Sequence, residues 1–302
     1  MRVGILLGLL SMLLFSACSM GGSIEADTNE SHQEGIRELT YAFHPDAPPK
    51  EILSRSRDEA IVILENQGAA SIEHGVITLI TDGDYVRPLG KEKTRFTLEG
   101  RNKFNPDGSV ETIRFPIETG PLDRQSQRHE EEIMANVCYD YATELNDIIC
   151  IDPDPYSDPA VAADKVCTTK DITSSGQGAP VVIERVGVKM LNQDNMVMPV
   201  FTIEIENRGK GIVVQQNHIS DLCSGLPLRP EDMNKISVYA TLGDQVLDCD
   251  ARTLQLIQRK TSVRCYDPVG INAYLGAHET PIHIRLTYGY SDTIVKRFAI
   301  VR

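Results

Sequence analysis

The sequence predicts an all-β protein: two immunoglobulin-like β-sandwich domains in tandem after a signal peptide and a flexible tether. Three observations predict it. Short runs rich in β-branched residues recur at turn-punctuated spacing from residue 36 onward. A strand-like run ending in Glu65-Asn66-Gln67-Gly68 is matched 141 residues later by one ending in Glu206-Asn207-Arg208-Gly209. No long segment beyond the first residues shows helical periodicity.

Composition bounds the class. The 302 residues leave room for two ordinary domains. Hydrophobic residues at 41% and charged residues at 24% lie in the globular range. A formal net charge of −13 repels phosphate and argues against nucleic acid as a partner. Tryptophan is absent, which weakens the case for a stacking carbohydrate face.

The N-terminus carries an address. Met1-Arg2 opens a mostly apolar stretch, Val3 to Ala17, of signal-peptide length and short of the ~20 residues of a membrane span. It ends Phe15-Ser16-Ala17-Cys18. Small residues before a cysteine resemble the lipobox of prokaryotic lipoproteins, which implies cleavage after residue 17 and a lipid on the Cys18 sulfur. Residues 18–35, polar and acidic, cannot bury a core and form the expected tether. Asn29-Glu30-Ser31 is a glycosylation sequon within it.

The first domain is expected over 36–152. Leu39–Phe43 alternates as an opening strand, and Pro45, Pro48 and Pro49 end it. Ala60–Leu64 runs into the Asn66-x-Gly68 turn, and Val76–Ile80 is its partner. Phe96–Leu98, Glu111–Phe115, Glu132–Tyr139 and Ile148–Ile151 follow. Arg124–Glu132 reads as a solvated loop of mixed charge. A Pro-, Ser- and Gly-containing linker is expected over 153–180.

The second domain is expected over 181–302. Val181–Val186 opens it, and Val200–Glu206 ends in the Asn207-x-Gly209 turn. Ile236–Ala240, Gln245–Cys249, Ser262–Cys265, Ile282–Tyr288 and Thr293–Ile300 complete it, with one helical turn at Pro230–Asn234.

Setting Cys18 aside leaves Cys138, Cys150, Cys167, Cys223, Cys249 and Cys265, an even number that suggests three disulfides in an exported chain. A hairpin turning at Glu144–Asp147 would set Cys138 opposite Cys150, and Cys249 and Cys265 bracket another strand–turn–strand pattern. Cys167 and Cys223 are then left for each other. Six cysteines allow fifteen connectivities, and the other pairings stay open.

Candidate chemistry is sparse. Asp152, Asp154 and Asp158, with Asp140 or Asp147, offer oxygens for calcium, although no D-x-D-x-D-G loop is present. The seven histidines are scattered, with no H-x-x-H or H-E-x-x-H spacing. There is no nucleophile elbow, P-loop or dinucleotide fingerprint. These patterns imply no enzyme and no cofactor.

The Asn-x-Gly turns after strands resemble the CARDB-like group of immunoglobulin-like domains, a module of prokaryotic surface proteins. Together with Phe43-His44-Pro45-Asp46-Ala47-Pro48-Pro49 and Cys150-Ile151-Asp152-Pro153-Asp154-Pro155-Tyr156, they are also similar to uncharacterised surface lipoproteins of small-genome archaea. The resemblance implies a fold and a cell-surface location, with no transferable activity. The expected function is a non-enzymatic adhesion, envelope-scaffold or partner-binding role, anchored to the membrane by lipid, with a surface protein or glycan as partner. The alternative is an exported small-ligand or calcium-binding subunit using the Asp-rich interdomain region.

Overall fold

The structure, a computed structural model, describes residues 34–154, 165–193, 195–226 and 228–302. The signal peptide, Cys18, most of the tether, the sequon and Asp158 lie outside the described residues.

Among the described residues nineteen strands follow in chain order: β1 Leu39–Phe43, β2 Glu51–Leu53, β3 Arg57–Asn66, β4 Ile72–Ile80, β5 Val86–Pro88, β6 Lys93–Leu98, β7 Ser109–Thr119, β8 Arg128–Ile151, β9 Ile172–Thr173 and β10 Val181–Gln193. After them come β11 Met196–Asn207, β12 Ile212–Val214, β13 Lys235–Leu242, β14 Gln245–Val246, β15 Asp248–Cys249, β16 Thr253–Gln255, β17 Lys260–Tyr266, β18 Ile271–Asn272 and β19 His278–Val301. Among the described residues one short α-helix, α1, spans Ile219–Cys223. The expected turn at Pro230 is a 3-10 turn over Pro230–Asp232. The chain is therefore all-β, as its period-two patterning implies.

The strands form three sheets. Four strands order as β1-β3-β7-β5, and a second sheet runs β15-β17-β11-β10-β9 with β18 beside β11. The largest runs β14-β13-β19-β8-β4-β6, with β12 and β2 also on β19 and β16 on β13. Its centre is the antiparallel pair of β8 and β19, each 24 residues long, in register from Arg128↔Val301 to Ile151↔His278. Each spans about 80 Å at ~3.3 Å per residue.

Those two strands carry the core along their length. Ile133, Ala135, Val137, Tyr139, Tyr141 and Leu145 of β8 alternate inward, as do Ile282, Ile284, Leu286, Tyr288 and Tyr290 of β19. They meet Val62, Leu64, Ile113 and Phe115 of the four-stranded sheet and Phe201, Ile203, Ile205 and Val263 of the other in one buried cluster. Each residue pair thus adds one buried face, at roughly 1.5–3 kcal/mol for a large apolar side chain.

The hairpin expected between Cys138 and Cys150 does not form. Glu144–Asp147 continues β8, because Tyr141, Thr143 and Leu145 keep the inward alternation that the intervening polar residues mask. Ile282–Tyr288 and Thr293–Ile300 likewise belong to one strand. The Arg124–Glu132 loop ends early, since β8 already begins at Arg128, where the guanidinium pairs with Glu51 and Glu130.

Candidate functional site

The two Glu-Asn-x-Gly turns build matching arrangements at the middle of the molecule. Asn66 is fully buried and donates from Nδ2 to the carbonyls of Ala70 and Leu98, while its Oδ1 accepts the Gly68 N–H at 3.1 Å. Asn207, also buried, donates to the Gly211 carbonyl at 3.2 Å. Each glycine makes room for a tyrosine hydroxyl: a Cβ on Gly68 would stand 1.8 Å from Tyr141 Oη, and one on Gly209 2.1 Å from Tyr290 Oη. An asparagine folded back on its own turn is a standard device for closing a strand. The tyrosines make these turns the ends of a shared core.

Register brings Tyr139 opposite Tyr290 and Tyr141 opposite Tyr288. The four rings contact one another, Tyr139 and Tyr141 edge to face at 5.7 Å between centroids. Burial drives the phenol pKa values of Tyr139 and Tyr288 well upward, so both stay protonated as hydroxyls. Thr143 Oγ1 donates to the Val181 carbonyl, and the Gly211 N–H donates to Tyr290 Oη at 2.8 Å.

The end of the expected linker is held between the two turns. Ala69 N–H donates to Gly178 O, and the Arg208 and Gly209 N–H groups donate to Pro180 O. Earlier in that stretch β9 pairs with β10, and the buried Gln177 side chain bonds both backbone groups of Ile183. At the other end of the expected tether, Gly35 O accepts from the Gly178 N–H.

Sequence reasoning missed an acidic pair beside this junction. Glu38, preceding β1, buries Oε2 without a hydrogen-bond partner. Tyr41 donates to Asp292 Oδ2 at 2.6 Å. Burial raises the Glu38 carboxyl above the usual glutamate range; Asp292 adds to the rise, while Tyr290, Lys210 and Arg259 oppose it. A carboxyl with a raised folded-state pKa lends stability in full below its ordinary pKa and loses it as pH rises through the folded value. Glu38→Gln is therefore expected to raise Tm at pH 7 and leave it unchanged at pH 4. Melts at the two pH values check this, and an equal shift at both would remove the titration from the account.

The six cysteines all pair, which marks an oxidising, extracytoplasmic environment. Cys249–Cys265 joins β15 to β17 as the spacing suggested. The other two expected pairings are corrected: Cys138 bonds Cys223 and Cys150 bonds Cys167. Cys138 and Cys150 sit on one continuous strand, about 40 Å apart at ~3.3 Å per residue, far beyond the ~7 Å Cα limit. Cys138 instead points to the outer face of β8, where α1 docks. Gly289 on β19, paired with Asp140, clears that face, since a Cβ there would stand 2.7 Å from Ile219 Cδ1.

The calcium candidates do not assemble. Asp152 is buried in an ion pair with Lys165 Nζ at 2.8 Å and accepts the Asp154 N–H. Asp140 pairs with His74, and Asp147 lies seven residues further along β8. Among the described residues no three His, Cys, Asp or Glu side chains converge as a metal site.

A groove of about 640 Å³ opens where α1 overhangs β4 and β6. Val76, Phe96 and Ile219 supply apolar lining, and Glu73, His74, Lys93, Arg95 and Glu111 the charge. Phe96 reaches its place by lying over Gly75, where a Cβ would come within 2.3 Å of its ring. Lys93 Nζ donates to Cys223 O at 2.7 Å, tying the groove's two walls. Burial raises the Glu111 carboxyl. Strand β6 ends its sheet and, among the described residues, pairs only with β4. The groove therefore combines an open strand edge with apolar lining and both signs of charge.

No protein-family profile and no curated protein matches the chain. One solved structure with weak similarity is the C-terminal globular domain of an oligosaccharyltransferase from Pyrococcus abyssi, at 8% identity and a TM-score of 0.22. The match covers 83% of this chain and 45% of that one. The chain thus spans less than half of that structure.

Proposed function

We propose that the chain is a lipid-anchored, extracytoplasmic binding protein without enzymatic activity. Two immunoglobulin-like sandwiches, joined through one sheet, serve as its scaffold. The observation that carries the binding role is the groove beside β6. An extended segment of a surface partner adds to the free edge of β6 through main-chain hydrogen bonds, with its side chains sampling the apolar lining and the flanking Lys93 and Arg95. The disulfides support the location, and the tandem Asn-x-Gly turns with their tyrosines support the repetition of one sandwich type. Anchoring at Cys18 accounts for the small residues that precede it.

A photo-crosslinker in place of Thr97, exposed on β6, tests the groove in intact cells. A discrete adduct is expected from position 97 and none from Leu53 at the far end of β19. Equal labelling at both positions, or no adduct at 97, removes the groove from the account. Cys18→Ser is expected to release the protein from the membrane fraction, and retention of that variant would remove the anchor.

A further inference from the structure

A second surface has no place in the groove reading. At the end of the second half, Leu191 is 48% exposed, Met196 37%, Val269 68%, Tyr274 80% and Leu275 66%. Strand pairing gathers them: β10 and β11 form the hairpin that carries Leu191 and Met196, and β18 pairs back onto Met196 and Val197. Tyr274 and Leu275 follow β18 on a 3-10 turn, Ala273–Leu275. Gly270 and Gly276 bracket the turn at φ +74° and +67°, a backbone that other residues rarely adopt.

The turn is held from below. Asn272 Oδ1 accepts the Tyr274 N–H at 2.9 Å, and Asn195 O accepts the Ala273 N–H at 2.9 Å. Tyr274 Oη lies 3.4 Å from Asn195 Oδ1. These bonds present apolar side chains outward instead of folding them in.

The charge pattern says what such a tip suits. Pro268 to Ala277 contains no charged residue, in a chain with 24% charged residues and a net charge of −13. The carboxylate just before it, Asp267, is buried and accepts the Val269 N–H. An uncharged segment with an exposed tyrosine, at an end where Asp194 between β10 and β11 is the nearest charge in the hairpin's sequence, matches the interfacial layer of a bilayer, where an amphipathic ring sits between lipid and water.

The chain outside the structure also ends on this side. Glu34 lines a shallow pocket with Glu144–Asp147. Asn146 pairs with His283, five residues from the end of β19 at His278, so the entry point is about 17 Å along the sheet from that end. The 16 residues from Cys18 to Glu34 reach at most about 55 Å.

We propose that this tip is a lipid-docking surface that lies against the same membrane that holds Cys18. The membrane's identity rests on the anchor proposed above; the docking itself does not need the acyl chain. The tip and the lipid on Cys18 then act as two attachments, which fix the orientation of a molecule that one tether would leave free.

The test uses the chain from residue 18 onward with Cys18→Ser, so that neither the signal segment nor an acyl chain contributes. The probe is phosphatidylcholine vesicles. Because the chain has no tryptophan, Leu275→Trp and Leu53→Trp each introduce a single reporter. Leu53 is 59% exposed beside β2, which pairs with the last residues of β19 at the opposite end. Vesicles should shift the emission of Leu275→Trp to the blue and let brominated lipid quench it, with no change for Leu53→Trp. Val269→Asp with Tyr274→Asp should weaken vesicle flotation by about tenfold or more.

Three results would overturn the proposal: no spectral change at 275, an equal change at 53, or a tip variant that dissolves a dimer while vesicles have no effect. The last would assign the tip to a second copy. Absence of lipid on Cys18 in protein from its native membrane would defeat the anchor and leave the vesicle result standing. A tip indifferent to vesicles would defeat the docking surface and leave the anchor intact.

Discussion

Replacing Cys138 and Cys223 together with serine is expected to lower stability by about 4.5 kcal/mol and Tm by about 10 °C. The pair closes the longest loop of the three, 85 residues, against 17 for Cys150–Cys167 and 16 for Cys249–Cys265. In the chain-entropy account each of the shorter loops contributes about 3 kcal/mol. The longer one has a second effect, because α1 docks on the outer face of the central sheet through Cys223 and Ile219. Without the bond, that wall of the groove is held by Ile219 over Gly289 and by the Lys93 hydrogen bond. Urea melts of the three double variants give the ranking. If Cys138/Cys223 proves no more costly than the others, the denatured chain already restricts that loop. Non-reducing peptide mapping checks the connectivity itself.

Gly68→Ala and Gly209→Ala should each cost about 3 kcal/mol, combining overpacking with a disturbed buried hydroxyl. At Gly68 the new methyl meets Tyr141 Oη and, at 2.8 Å, Gly178 O. At Gly209 it meets Tyr290 Oη, with Glu38 Oε2 and Pro180 Cβ both at 2.7 Å. Neither ring has space to withdraw, since Tyr141 is buried and Tyr290 wholly so. The mechanism predicts a coupling. Tyr141→Phe removes the atom in the way, so Gly68→Ala combined with Tyr141→Phe should cost less than the sum of the two. Strict additivity would show that the clash with Gly178 O dominates.

The strands were legible because burial on one face leaves an alternation that survives in the letters. Leu39–Phe43 matches β1 residue for residue, and the two Asn-x-Gly turns stand where the pattern placed them. The long central strands were not legible as wholes. Asp140, Glu144 and Asn146 face away from the core, and the polar run Glu144–Asp147 resembles a turn. Tyr141, Thr143 and Leu145 between them are the inward half of the same alternation. Cysteine partners were out of reach for a related reason: Cys138 finds Cys223 only once α1 has docked across the sheet, and no local spacing records that. The Asp-rich segment looked like a cation site because Lys165, which neutralises Asp152, lies thirteen residues further on. The groove and the apolar tip depend on which side chains the finished sheets leave uncovered, a property of the assembled molecule alone.

The pairing of β8 with β19 also orders events in time. Arg128 finds Val301, 173 residues later, and β2 near the start of the fold lies parallel to Ala299–Val301. Until the last 24 residues arrive, the first half lacks a strand through the middle of its larger sheet. Contacts this distant in sequence form late, because closing so long a loop costs entropy before any pair is made. Neither half is therefore complete until β19 is in place beside β8. The two halves thus mature as one unit, closed by the strand that forms last.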